Sequence, residues 1–362
     1  MPGPAPRKGG IASRTGHWWR IVAPGAALVA VIVITAVMLT RGPRPSMDLT
    51  VRGWYVNSVV FSPNGKIVAA GDNAGFTYLW RTSTGKRIAT LGDAHGASVN
   101  SVAFSPDGEI LAAGGSNGFT NLWSTATGRL IATLRDPGRQ PFLSSVVFSP
   151  DGSILATGDN GGTCIWSTAT GRLIATLRDP GRQAFVNSVA FSPDGTILAA
   201  GDDNGDTNLW STATDRRVAS LHGPGRLVSV SSVVFSPDGK LLAIGDAGDG
   251  RIYLWSTVSR KRVAVLPGRR NGVTGSLAFS PDGKTLAVVE SIGYDNGDGT
   301  TYLWSIAGHN RIAALSDPLG YDIASAAFSP DGKTLATGDD VALDLPTSTP
   351  ARAYLWGVSW LP

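Results

Sequence analysis

The chain has 362 residues, of which 46 are glycine, 22 are proline and only 16% are charged. Much of its formal net charge of +4 comes from residues before position 48. Because no arginine-rich run is interleaved with stacking aromatics, the composition argues against binding to nucleic acid. The single cysteine, Cys164, excludes an intrachain disulfide, so packing must hold the fold together.

The first forty residues contain a basic tail and then an apolar segment. Residues 1–17 are rich in proline, glycine and arginine and have no acidic residue, which predicts a disordered tail. The segment from Ile21 to Leu39 carries no charge, and a helix of that length nearly matches the ~30 Å hydrocarbon core of a bilayer. The preceding Trp18 and Trp19 suit a membrane interface. We therefore predict a transmembrane helix over residues 18–40.

The charges around this segment predict its orientation. Basic residues stand at positions 7, 8, 14 and 20 on its N-terminal side and at positions 41, 44 and 52, with Asp48, on its C-terminal side. The small excess on the N-terminal side favours a cytoplasmic N-terminus and an exported C-terminal part. A cleaved signal peptide is one alternative, although residues 38–41 offer no small-x-small cleavage site. An inverted or cytosolic location is another. With a short linker over 41–47, we expect a single-pass membrane protein whose main domain, residues 48–362, is extracytoplasmic.

The rest of the chain repeats one phrase, an apolar run that ends in Phe-Ser-Pro-Asp/Asn-Gly. The phenylalanines that end these runs are Phe61, Phe104, Phe148, Phe191, Phe235, Phe279 and Phe328. The first six lie 43 or 44 residues apart, and the last interval is 49 residues. A tryptophan follows each of them at a matching position: Trp80, Trp123, Trp166, Trp210, Trp255, Trp304 and Trp356. A fixed period of about 40–45 residues is typical of propeller arrays.

Each repeat carries the signals of four short strands. In the second repeat, the run Val99–Phe104 alternates its faces as a strand does, and Ser105 to Gly108 suit a type I turn. A second apolar run, the strand that ends in Trp123 and a fourth strand over 130–134 follow, each after a turn. Four antiparallel strands of this kind make one propeller blade.

These repeats resemble WD repeats, whose blades carry an LxFSPDGxxLAsGsxDGxxxLWD-like pattern. The resemblance covers roughly residues 48–362 and implies an all-β, seven-bladed propeller of four-stranded antiparallel blades, with the seven tryptophans as structural residues. The family's aspartate after this tryptophan is absent, and its loop histidine has counterparts only in His95 and His222. The family's His–Ser/Thr–Asp–Trp hydrogen-bond network is therefore expected to be incomplete in every blade.

The two ends of the repeat region complement each other. Residues 48–51 resemble the fourth strand of a blade, whereas the seventh repeat stops after its third strand, at Trp356. We predict that the N-terminal strand completes blade seven and closes the ring, which removes its open edges.

In the family that these repeats resemble, the first strand of a blade descends from the face that bears the loops between blades, so the fourth strand begins on the opposite face. Because the membrane segment leads into a fourth strand, we expect it to leave from that opposite face, with the loops between blades on the outward face. Those loops combine aromatic residues with arginine, as binding hot spots do. The predicted partner-binding residues are Trp54, Tyr55, Arg139, Phe142, Arg182, Phe185, Arg226, Arg269, Arg270 and Tyr321. Two loops, over 290–300 and 339–352, are longer than their counterparts, which indicates either a binding side or tolerated insertions.

No catalytic or metal-binding set stands out. The four histidines, His17, His95, His222 and His309, fall in the tail or in turns of different repeats. Residues 295–299 hint at a calcium loop, but its oxygen pattern breaks at Gly297 and its bidentate glutamate is absent. We predict no cofactor and a monomeric, non-catalytic platform for protein interaction or sensing. The alternative is an exported propeller enzyme or a sugar- or peptide-binding module of the lactonase or Tol type.

Overall fold

The computed structural model describes residues 43–53, 55–92, 96–137, 142–178, 184–223, 229–269, 272–291, 299–340 and 350–361. Over these ranges the chain forms 28 strands in seven four-stranded antiparallel sheets, so the predicted all-β, seven-bladed propeller is confirmed. The predicted tail (1–17), the predicted transmembrane helix (18–40) and the start of the linker lie outside the described residues. Within the described ranges, no helix is long and apolar enough to cross a membrane.

The first strand of the chain is β1 (Met47–Thr50), and blades one to three then follow in order, each from its innermost to its outermost strand. Blade 1 holds β2 (Val56–Phe61), β3 (Ile67–Asp72), β4 (Phe76–Arg81) and β5 (Arg87–Gly92). Blade 2 holds β6 (Val99–Phe104), β7 (Ile110–Gly115), β8 (Phe119–Ser124) and β9 (Leu130–Arg135). Blade 3 holds β10 (Ser145–Phe148), β11 (Ile154–Asp159), β12 (Gly162–Ser167) and β13 (Leu173–Leu177).

The remaining blades repeat this order. Blade 4 holds β14 (Val186–Phe191), β15 (Ile197–Asp202), β16 (Asp206–Ser211) and β17 (Arg217–His222). Blade 5 holds β18 (Val230–Phe235), β19 (Leu241–Asp246), β20 (Ile252–Ser256) and β21 (Arg262–Leu266). Blade 6 holds β22 (Val273–Phe279), β23 (Thr285–Ser291), β24 (Thr300–Ser305) and β25 (Asn310–Ser316). Blade 7 holds β26 (Asp322–Phe328), β27 (Thr334–Asp340), β28 (Arg352–Gly357) and, as its outermost strand, β1.

The ring closes as the sequence predicts. Strand β1 pairs antiparallel with β28, with Leu49 opposite Ala353 and Met47 opposite Leu355. The Arg352 guanidinium lies 2.8 Å from the Asp48 carboxylate across this pairing. Leu49 is buried in the cluster shared by blades 7 and 1, so the sequence-distant strand also supplies core.

A circle of serine hydrogen bonds joins the innermost strands. The serine hydroxyl in each inner strand accepts a hydrogen bond from a backbone N–H of the next blade, at 3.0–3.5 Å. The seven serines are Ser58, Ser101, Ser145, Ser188, Ser232, Ser276 and Ser325. Ser325 of blade 7 bonds Val59 N of blade 1, so the circle is complete.

The two faces of the ring carry different connections. The side of the ring that carries the turns between first and second strands, and those between third and fourth strands, is called the lower face. The upper face carries the connections between second and third strands and those between blades. On the lower face the turn glycine Gly65, at φ +68°, lies against Pro330 of the neighbouring blade, and the other six blades repeat this contact. Backbone at such a φ favours glycine, which explains why the Ser-Pro-Asp/Asn-Gly phrase recurs.

The seven structural tryptophans are not equally buried. Five of them are buried within the seams between blades: Trp80, Trp166, Trp210, Trp304 and Trp356. Trp123 and Trp255 are half-buried and pack against the edges of their clusters. The burial of the structural tryptophan therefore differs between blades.

Candidate interaction face

The predicted partner-binding residues divide into two groups. Trp54, Arg139, Arg182, Arg226 and Arg270 lie outside the described residues. The other five are described and lie on upper-face connections between blades: Tyr55, Phe142, Phe185, Arg269 and Tyr321. Most of both long loops, over 292–298 and 341–349, is also outside the described residues.

The structure brings two of these residues together. The rings of Phe142 and Phe185 lie 5.6 Å apart between centroids, tilted by 47°, although they come from successive connections between blades. Phe142 is 44% exposed and Phe185 is half-buried. The Phe185 backbone N–H donates to the Asp203 carboxylate at 2.9 Å, which fixes the end of its connection. An aromatic pair with one exposed and one half-buried ring therefore lies on the upper face of blades 3 and 4.

The backbone N–H group of each of the other three described residues donates a hydrogen bond to a side chain. The Tyr55 N–H donates to Asn73 Oδ1 at 3.1 Å, and the Arg269 N–H donates to Glu290 Oε2 at 3.0 Å. The Tyr321 N–H donates to Asp317 Oδ1, and its ring packs against the core between blades 7 and 1. All three side chains are half-buried, so they offer less free surface than Phe142.

Beneath this face lies a set of buried acids that the sequence reasoning missed. Each is the last or the next-to-last residue of the second strand of its blade and is at most 3% exposed: Asp72, Asp159, Asp202, Asp246, Glu290 and Asp339. In blade 1, the Asp72 carboxylate accepts hydrogen bonds from the Phe76 and Gly53 N–H groups and from the Tyr78 hydroxyl. Such a carboxylate ties the turn inside a blade to the segment that leads into it. The recurring Gly-Asp at the end of the second apolar run is the signal that could have revealed the set.

Burial raises the pKa of four of these acids, Asp159, Asp202, Asp246 and Glu290. Removal from water raises the pKa of Asp202 and of Asp246 to about 6 in each case. Burial also raises the pKa of Glu290, against the opposing effects of the Arg269 N–H and of the Arg311 guanidinium, 3.6 Å away. The charges of Asp202 and Asp246, which lie beneath the upper face, therefore change at a pH of about 6.

Blade 3 carries the most connected of these networks. The Trp166 indole N–H donates to Thr157 Oγ1 at 3.1 Å, and the Thr157 hydroxyl donates to Asp136 Oδ1 at 3.2 Å. Asp136 directly follows β9 of blade 2, so the chain of bonds crosses the seam between blades 2 and 3. Burial, together with the negative charge of Asp159, raises the pKa of Asp136 to about 7. The Trp–Thr part of the expected network is therefore present in this blade, with Asp136 as the next hydrogen-bond partner.

Blade 7 repeats part of this arrangement. The Trp356 indole N–H donates to Thr337 Oγ1 at 2.9 Å. Thr337 stands at the same strand position as Thr157, which is alanine, isoleucine or valine in the other five blades. The expected incomplete network thus retains its Trp–Thr bond in the two blades that have the threonine.

Cys164 completes the group in blade 3. Oxygen atoms of Asp136 and Asp159 and the Cys164 sulfur all lie within 4.8 Å of one another, and all three residues are buried. A cation could bridge donors at this spacing, but each already has a protein partner. Asp159 Oδ1 accepts from the Gly161 N–H, and the Cys164 sulfur lies 3.8 Å from Thr176 Oγ1. Burial raises the pKa of the Cys164 thiol to about 12, so this thiol is a neutral packing group at physiological pH.

Two of the four histidines fall within the described residues. His222 Nδ1 lies 2.6 Å from Asp206 Oδ1 at the exposed outer edge of blade 4. His309 occupies the turn between β24 and β25 of blade 6, with φ +51°. Because they stand in different blades, these two imidazoles do not share a site, and His17 and His95 lie outside the described residues.

A family model matches most of the repeat region. The model for the WD domain, G-beta repeat (WD40) matches residues 46–81, 85–124, 128–167, 171–211, 216–256 and 260–305. Together these segments span about two thirds of the chain. A comparison with curated proteins gave no match.

The matched segments are offset from the blades by one strand. Residues 85–124, for example, contain β5 of blade 1 and then β6, β7 and β8 of blade 2. Each sequence repeat thus supplies the outermost strand of one blade and the three inner strands of the next. Strands β26 to β28 lie beyond the last match, and with β1 they form a four-stranded blade of the same kind.

Proposed function

Because the chain belongs to the WD-repeat family, we propose that it is a non-catalytic platform for protein interaction or sensing, displayed outside the membrane by a single-pass anchor. WD-repeat propellers typically serve as interaction modules, and this chain forms the whole seven-bladed ring. The upper face around Phe142 and Phe185 is the proposed contact surface.

The Phe142–Phe185 pair is the observation that supports this surface most. The connections that hold the two rings, 136–142 and 179–185, have the same residue at six of seven positions, including an arginine and the phenylalanine. The two successive connections therefore share their residue types, and the structure brings their phenylalanines together. Aromatic and arginine side chains dominate the binding energy of many interfaces. Two aromatic rings whose centroids lie 5.6 Å apart offer a large apolar surface for a partner to cover.

The contact surface can be tested by recovering partners from detergent-solubilised membranes. The intact chain is compared with a variant that carries alanine at Arg139, Phe142, Arg182 and Phe185. The matched control replaces Arg129, Ile131, Arg172 and Ile174 by alanine. These exposed residues lie on or beside the outer strands of blades 2 and 3 and are of comparable type. We expect the first variant to lose partners that the control retains, and an unchanged partner list would refute the surface.

Membrane display rests on the uncharged segment from Ile21 to Leu39 and on the basic residues before it. Protease added to intact spheroplasts should digest the propeller and leave a short membrane-bound fragment. Protection of the propeller would refute export. Release of the intact propeller into the medium would indicate a cleaved signal peptide and refute the anchor.

A further inference from the structure

A cavity of about 490 Å³ opens on the lower face, in the seam between blades 4 and 5. Its walls are mainly apolar: Leu209 and Leu221 come from blade 4, and Phe235, Leu242 and Trp255 come from blade 5. Small-molecule sites are commonly apolar clefts of about 300–1,000 Å³ with a few placed polar groups. Trp255 is one of the two incompletely buried structural tryptophans, and this cavity is what its indole faces.

The turn between the third and fourth strands of blade 5 places a non-glycine residue beside this cavity. Blades 1, 2 and 3 have glycine at the left-handed position of that turn, and Gly128 and Gly171 lie close to leucines of the preceding blade. In blade 5 the same position is Arg260, at φ +54°. Backbone in this left-handed region is strained for a residue with a Cβ. The Arg260 side chain also occupies space that a glycine leaves to the neighbouring blade.

Arg260 is positioned at the mouth of the cavity. One of its guanidinium N–H groups donates to the Val218 carbonyl of blade 4 at 2.9 Å, so the side chain spans the seam. The guanidinium has five N–H donors in a planar fork, and the others remain for a ligand. Backbone strain of this kind is often found at functional sites.

Val258 adds an apolar edge to the same mouth. It is 87% exposed, the highest value among the large apolar residues of the described chain. The corresponding turn position in the other blades with this turn is alanine or serine. An aliphatic side chain beside a guanidinium matches a ligand with an apolar body and an anionic head.

We propose that the cavity between blades 4 and 5 binds a small lipophilic carboxylate, with its apolar body between Leu209 and Trp255 and its carboxylate on Arg260. Two acids, Asp194 and Asp238, also line the cavity, on the turns that follow the innermost strands. Each accepts a hydrogen bond from a serine hydroxyl of its own turn, and Lys240 lies 3.4 Å from Asp238. The anionic head therefore belongs at the outer end, where Arg260 lies.

The test uses the full-length chain in amphipol and a dansyl-labelled undecanoic acid as the probe. The probe's fluorescence is followed as it is titrated, and the corresponding undecanamide, which has no charge, serves as the matched ligand. Arg260→Gly removes the guanidinium and restores the residue type of blades 1 to 3, so it should not destabilise the fold. Asp215→Gly makes the same backbone change in the turn of blade 4, at φ +56°.

We expect saturable binding of one probe per chain to the wild type and to Asp215→Gly. Arg260→Gly should bind the acid at least tenfold more weakly, with no fall in its thermal midpoint, because a charge-assisted contact is lost. The amide should bind the wild type at least tenfold more weakly than the acid does. Equal affinity of acid and amide, wild-type affinity in Arg260→Gly, or no saturable binding to the wild type would each overturn the proposal.

Discussion

Replacing Asp136 by asparagine should make the stability of the protein less dependent on pH. Asp136 is 2% exposed and titrates at about 7, compared with an ordinary value of 3.8. Between these two pH values the folded state holds a proton that the unfolded state has released. The free energy of unfolding therefore falls as pH rises from about 4 to about 7, and it falls no further at this site above that.

The size of the effect follows from this difference in pKa. The two values differ by about three pH units, and each unit corresponds to 1.36 kcal/mol, so the loss is about 4 kcal/mol at most. The side-chain amide introduced by Asp136→Asn would stay neutral at every pH and could still accept the Thr157 hydroxyl and donate to the Asp159 carboxylate. The free energy of unfolding of the variant should therefore not show the fall that Asp136 causes in the wild type between about pH 4 and pH 7.

Urea unfolding of the wild type and of Asp136→Asn, followed between about pH 4 and pH 8, tests the reasoning. Asp107→Asn is the control because the Ser105 hydroxyl lowers the pKa of that exposed carboxyl. The contribution of the Asp107 carboxylate to stability is present above its ordinary pKa and is lost as the pH falls below that value. If the free energies of unfolding of the wild type and of Asp136→Asn differ by the same amount at every pH, the raised pKa of Asp136 is refuted.

Two further predictions concern the closure of the ring. Ser325→Ala removes the hydrogen bond to Val59 N that completes the serine circle, so we expect a loss of about 1 kcal/mol in urea unfolding; a loss no larger than that of the exposed Ser83→Ala would contradict it. Gly85→Ala adds a Cβ at φ +65° that meets the Met47 sulfur of β1, so it should lower the thermal midpoint more than Gly96→Ala, which has the same φ class and open space. Equal effects of the two glycine variants would show that β1 does not pack there.

The sequence was sufficient for the architecture because each blade repeats local signals. The Phe-Ser-Pro-Asp/Asn-Gly phrase sets a turn, the strand lengths follow from the apolar runs, and the missing fourth strand of blade 7 can be counted. Closure by residues 48–51 follows from that count and is confirmed by the pairing of Leu49 with Ala353, although the observed strand, Met47–Thr50, begins and ends one residue earlier.

Contacts between neighbouring blades could not be predicted in the same way. The Phe142–Phe185 contact and the Asp136–Thr157 bond join residues of different repeats, and their distances depend on how the seams pack. The half-buried Trp255 has the same sequence context as its buried counterparts. Its exposure arises from the cavity in the seam with blade 4, which strand periodicity within one repeat does not encode.

Hydrogen exchange of the peptide that covers residues 46–51 tests the central claim of closure most directly. The β1–β28 pairing predicts protection of these amides comparable to that of the regular outer strand β5, Arg87–Gly92, in the same native protein. Exchange of residues 46–51 at the rate of an unstructured segment, while β28 stays protected, would contradict a ring that is completed by its N-terminal strand.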